Sequence, residues 1–156
     1  MSAQSEIVVG VDGSELARRA LDWALEEAAV RGVGCRLVHA WNYGMAATGL
    51  IPGGALEQIG EDAQTLLDQD VAYARLSGVA VEGRLVFGVA GAVLAEESRD
   101  ADLLVVGSRG RSGLASTLLG SVSIACVHHS ACPVVVIPPA ERVSALQPEQ
   151  VATIAH

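Results

Sequence analysis

The sequence predicts an α/β domain built on a mainly parallel sheet. Three observations carry this. Short apolar runs alternate with helix-length amphipathic segments along the chain. The runs are rich in Val, Leu and Ile with little polar alternation, as in strands covered by helices on both faces. Two of them, "IVVGVDGS" and "LLVVGSRGRS", run into Gly turns with Ser nearby. Open α/β sheets hold their ligands at such carboxyl ends of strands.

The elements follow in order. "EIVVGV" (6–11) is a short buried-type strand. Residues 14–32 read as an amphipathic helix, with Ala17, Leu21, Ala24, Leu25 and Ala28 on one face and charges opposite. Asp12 or Ser14 suits its start and Gly32 its end. "CRLVHAW" (35–41) is the second strand, and a loop with some apolar content follows. Residues 55–78 form a second helix, 79–88 a third strand, 90–101 a third helix and 102–107 a fourth strand. Residues 120–131 form a fourth helix, and "CPVVVIP" (132–138) is the fifth strand. The domain is expected to occupy 1–138, with 139–156 as a mobile tail.

Composition narrows the function. The 156 residues suit one domain, and 51% are hydrophobic against 18% charged, so a sizeable core is expected. Aromatics are only 3%, so aliphatic residues must fill that core. The formal charge of -8 argues against nucleic acid and anionic membrane partners. All 10 basic residues are Arg. Without Lys, the Gly-Lys-Ser/Thr of a P-loop is excluded. "GVDGSE" has the wrong glycine spacing for a dinucleotide fingerprint. "MSAQSE" reads as no secretory leader, and no run reaches the ~18 apolar residues of a membrane helix. Three cysteines without a CxxC fit a reduced compartment better than a disulfide scaffold. A cytoplasmic location is therefore expected.

Residues 107–121, "GSRGRSGLASTLLGS", are the informative stretch. Glycines there permit close backbone approach and positive φ. Gly120, Ser121 and Ser123 open a helix whose free N–H groups favour an anion such as phosphate. Arg109 and Arg111 add positive charge in an acidic chain. On spacing alone, a capped surface loop fits as well as a phosphate cradle. Asp12 likewise suits a helix cap. His128 and His129 are helix neighbours about 100° apart, which disfavours one shared metal. Cys35, Cys126 and Cys132 read as small apolar residues. No nucleophile–base pair stands out.

The spacing Gly107-x2-Gly110-x9-Gly120-Ser121 resembles the nucleotide-binding pattern of universal stress proteins of the ATP-binding type. "IVVGVDGS" and "CPVVVIP" are similar to that family's first and last strands, so the resemblance covers residues 6–138. It implies a single open five-stranded parallel sheet in the order 3-2-1-4-5. Helices cover both of its faces, a Rossmann-like fold of the adenine nucleotide alpha hydrolase type. It implies ATP, with Mg²⁺, at the carboxyl ends of the first and fourth strands. The implied contacts are Asp12, Ala40, Val106, Gly107, Arg109, Gly110, Gly120, Ser121, Val122 and Ser123, with Ala40 reading the adenine edge through its backbone. No catalytic residue and no protein metal ligand is assigned. The implied function is a nucleotide-responsive regulatory module in stress response. The alternatives are a slow ATP hydrolase and a binder of AMP or cyclic AMP; a non-nucleotide dimerisation module is disfavoured by the intact glycine pattern. A homodimer through Val134, Val135, Val136 and Ile137 is expected, because the fifth strand would be an apolar sheet edge.

Overall fold

The computed structural model describes residues 5–44, 54–110 and 119–140. Its elements are β1 (Glu6–Gly10), α1 (Glu15–Arg31), β2 (Gly34–Trp41), α2 (Gly54–Arg75), β3 (Val81–Phe87), α3 (Ala90–Glu97), β4 (Leu103–Gly107), α4 (Ser121–His129) and β5 (Val134–Ile137). The five strands form one parallel sheet in the order β3-β2-β1-β4-β5. The chain thus winds outward from β1 in both directions, and β1 and β4 lie side by side at the reversal.

Alternation along β1 explains the layers. Ile7 and Val9 pack with α1 and α2, while Val8 packs with Val93, Leu94 and Cys126 of α3 and α4. All three β1 side chains are fully buried. Burial of that kind contributes about 1.5–3 kcal/mol per large aliphatic side chain. The register Val9↔Leu37 and Val9↔Val105 places the most apolar positions of three strands in one layer.

The helix ends have local causes. Ser14 accepts a hydrogen bond from the Ala17 amide at 3.1 Å and caps α1. Gly32 ends the same helix at φ 69°, a left-handed conformation that costs glycine no Cβ clash. Several elements are shorter than their sequence patterns. α3 stops at Glu97 where 101 was expected, because Ser98 and Arg99 turn back onto Leu94 and Glu96. α2 likewise unwinds after Arg75 into turns closed by the amides of Leu76, Ser77 and Gly78. β5 covers only 134–137: Pro133 has no amide to donate, although its carbonyl accepts from Leu104. β3 is half exposed as an edge strand, with Glu82 and Arg84 facing solvent, rather than covered on both sides. Arg111 and the tail from residue 141 lie outside the described residues.

Candidate functional site

A cleft of about 1130 Å³ opens at the carboxyl ends of β1, β2 and β4. All ten residues expected at a nucleotide site line it: Asp12, Ala40, Val106, Gly107, Arg109, Gly110, Gly120, Ser121, Val122 and Ser123. The sheet order is what brings them together, since the β1–α1 turn and the β4–α4 segment are neighbours only through the β1–β4 pairing.

Asp12 is held from two sides. Its Oδ1 accepts the Ser14 amide at 2.9 Å, just before the α1 cap. A Cβ on Gly110 would stand 2.8 Å from Asp12 Oδ2. The bare Gly110 therefore lets the second strand-end turn close against this carboxylate. Gly107 serves α1 in a similar way, because a Cβ there would meet the Leu16 backbone at 3.2 Å. None of Gly107, Gly110 and Gly120 has a positive φ. Of the two roles the sequence suggested for these glycines, close approach and positive φ, the backbone shows the first.

The start of α4 is built by hydrogen bonds back to β4. The Gly120 amide donates to the Ser108 carbonyl at 2.6 Å. Ser123 Oγ lies 3.0 Å from the same carbonyl and 2.9 Å from that of Gly120. The Ser123 hydroxyl thus clamps the helix to the strand instead of facing outward. The first bond of the helical ladder runs from Ile124 to Gly120, so the amides of Ser121, Val122 and Ser123 precede it. Those residues line the cleft, which places a helix N-terminus with its positive dipole end there. Arg109, half-buried beside it, has no ion pair among the described residues.

The opposite wall was not legible in the sequence. Ile59, Asp62, Ala63 and Leu66 of α2 line it, together with His39, Trp41 and Asn42 at the end of β2. His39 is 5% exposed and lies near Asp70, another buried polar residue. Burial pushes the Asp70 carboxyl above its ordinary value, although Arg18 lies 2.6 Å away and opposes the shift. Burial also pushes the thiols of Cys35 and Cys126 up to about 11, which keeps them protonated and unreactive at neutral pH. Among the described residues no group of three or more His, Cys, Asp or Glu side chains is placed to hold a metal. No described helix is long and apolar enough to cross a membrane.

Residues 5–138 match the family model "Universal stress protein family". A universal stress protein of Mycobacterium tuberculosis is 36% identical over 132 residues, covering 83% of this chain and 44% of that protein. One from Mycolicibacterium smegmatis is 35% identical over 137 residues, 85% of this chain and 45% of the relative. The chain therefore spans about half the length of the curated relatives it matches. Among solved structures, a universal stress protein in complex with cAMP is 31% identical with a TM-score of 0.64, covering 88% of this chain and 98% of the other. A universal stress protein from Archaeoglobus fulgidus in complex with dAMP is 28% identical with a TM-score of 0.66, covering 85% and 97%. A family member from Arabidopsis thaliana with AMP bound is 26% identical with a TM-score of 0.62, covering 88% and 93%. Fold, strand order and sequence agree, and the chain belongs to the universal stress protein family.

Proposed function

We propose that the cleft binds an adenine nucleotide, ATP with Mg²⁺ in the first instance, and that the protein is a nucleotide-responsive regulatory module rather than an efficient enzyme. One observation carries the reading. A fixed carboxylate, Asp12, and an anion-favouring pair, Arg109 with the start of α4, converge on one cleft. That polarity suits a nucleotide. The carboxylate accepts from ribose hydroxyls, and the helix amides with the Arg109 guanidinium receive phosphate oxygens. Ala40 lies at the end of β2 in the same cleft, where its backbone reaches a base edge.

The relatives solved with cAMP, dAMP and AMP support adenine as the base and leave the number of phosphates to this chain's own cleft. Mg²⁺ suits the reading as a counterion carried by the phosphates, because it keeps waters and takes few protein ligands. When bound it would neutralise phosphate charge. Asp12 is a carboxylate of the cleft on the side of the proposed ribose and phosphates, and its Oδ1 is already committed to the Ser14 amide. We place this activity in the cytoplasm and assign it to a homodimer joined through β5. The test is native mass spectrometry of protein purified without added ligand. A co-purifying mass equal to ATP supports the reading, and AMP or cyclic AMP in its place assigns the cleft to that nucleotide. An empty protein whose melting temperature is unmoved by millimolar ATP, AMP and cyclic AMP overturns it.

A further inference from the structure

Aromatic residues make up only 3% of this chain, yet three of them gather at one lip of the cleft. Trp41 ends β2 and stands in register with Phe87 at the end of β3. Their ring centroids are 5.1 Å apart with planes at 80°. Tyr43 meets Trp41 at 5.6 Å and 89°, and Phe87 at 5.1 Å and 56°. The two edge-to-face contacts of Trp41 and the tilted contact between Tyr43 and Phe87 hold the indole between its neighbours.

The indole is fixed from the α2 side as well. A Cβ on Gly60 would stand 3.0 Å from Trp41 Cη2, so α2 carries a glycine where the ring needs room. The next residue, Asn42, is pinned: its Nδ2 donates to the Gly88 carbonyl at 3.2 Å and its Oδ1 accepts the Gly44 amide at 2.8 Å. Phe87 remains 56% exposed. A large apolar ring left in water at a cleft lip does little for the core, and here it buttresses Trp41. Trp41 itself lines the cleft, one residue beyond Ala40.

We propose that Trp41 is the specificity residue of the cleft, a preset aromatic wall that favours a two-ring purine over a one-ring pyrimidine. The inference rests on the nucleotide reading above and adds the residue that selects the base. A purine presents more π-surface to such a wall than a pyrimidine does, and contact between a base and an aromatic side chain commonly changes affinity by about five- to 150-fold on truncation. Ala40 reaches the base edge through its backbone, and Trp41 beside it adds ring surface for the base face.

The experiment uses AMP and CMP, which share ribose and phosphate and differ in the base. Titration calorimetry on the wild type is expected to show AMP binding at least about tenfold more tightly than CMP. Trp41→Leu is expected to bring the two affinities within about threefold, chiefly by weakening AMP. The chain has two tryptophans, so Trp23→Phe leaves Trp41 as the single indole reporter. In that variant AMP is expected to quench and shift the emission, and CMP at equal occupancy to do so less. Unchanged discrimination in a folded Trp41→Leu protein overturns the proposal. If that variant does not fold, silent Trp41 emission at saturating AMP in Trp23→Phe overturns it. In both cases AMP still binds and the nucleotide reading stands. A wild type that binds neither nucleotide fails the nucleotide reading itself, and this proposal with it.

Discussion

The Asp12 carboxylate rests against the bare Cα of Gly110, with a would-be Cβ on residue 110 only 2.8 Å from Oδ2. Two turns from distant parts of the sequence therefore share one contact, and neither residue changes without the other feeling it. Gly110→Ala must displace the carboxylate or the loop. Forcing a methyl group into such a site typically costs about 1–3 kcal/mol. Asp12→Asn keeps an Oδ1 acceptor for the Ser14 amide and removes only the charge. We expect Gly110→Ala to lower the midpoint of thermal unfolding by several degrees and to weaken ATP binding. Asp12→Asn should hold the midpoint nearly constant while weakening ATP about tenfold, the loss of one charge-assisted hydrogen bond. Calorimetric scans and titrations decide; an Asn variant as unstable as Gly110→Ala would mean that Asp12 serves the turn and not a ligand.

Gly120 combines tight packing with the start of α4. A Cβ there would lie 3.3 Å from the Ser108 carbonyl oxygen and 3.4 Å from Arg109 Cα. Gly120→Val adds two further methyl groups at the mouth of the helix N-terminus. The wild type is expected to gain melting temperature with Mg²⁺-ATP, since a ligand bound only by the native state stabilises it by mass action. The Val variant should lose that gain. Equal ATP affinity for the two proteins by titration calorimetry would remove the phosphate site from α4.

Turnover follows from what surrounds the helix start. Ser123, a buried hydroxyl that lines the cleft, is engaged by the Ser108 and Gly120 carbonyls, and Asp12 Oδ1 accepts the Ser14 amide, so the proposed ribose contact falls to Oδ2. Phosphate release under saturating ATP is expected to fall far below the ~10 s⁻¹ of ordinary enzymes. A rate near that value, lost in Asp12→Ala with binding retained, would turn the regulatory reading into a hydrolase.

Asp70 supplies a pH signature. Burial raises its folded carboxyl above the unfolded value, against the pull of Arg18. The native state then holds this proton more tightly than the unfolded chain does. The resulting contribution is fully present below the unfolded value and is lost as pH rises through the folded one. Asp70→Asn should therefore flatten the stability profile across the acidic range, measured by urea unfolding from pH 3 to pH 7. An unchanged profile would assign the slope to other carboxylates.

The strand-end half of the cleft was legible because it is written in contiguous residues. "IVVGVDGS" and the glycines of 107–121 place a carboxylate and a helix start at two strand ends, and the order 3-2-1-4-5 makes those ends neighbours. The other wall is tertiary. Ile59, Asp62 and Leu66 sit on an amphipathic helix whose periodicity shows which face is apolar but not which end reaches the cleft. His39 and Trp41 sit in a run that reads simply as a buried strand. The part played by Gly107 was equally hidden, because a glycine beneath a helix and a glycine beside a ligand look alike in sequence.

β5 is the edge of the sheet, and Val134, Val135, Val136 and Ile137 are each only half-buried. Proteins commonly guard such an edge with charge, and this strand carries none. The helix above it adds apolar surface. Val122, Ala125 and His129 of α4 line the groove toward α3, so Val127 turns to the other flank, where it is 54% exposed. An apolar edge beside an apolar helix flank suits a second copy of the same chain, since a two-fold axis pairs one strand with itself in antiparallel sense. We therefore expect a homodimer through β5, with Val127 at its margin. Val135→Asp should shift light scattering at micromolar concentration from dimer toward monomer, or lower solubility. Val127→Asp should weaken the dimer less, because it leaves the strand pairing intact. A soluble wild-type monomer under the same conditions would mean that another segment of the chain covers the edge, and the dimer would have to be abandoned.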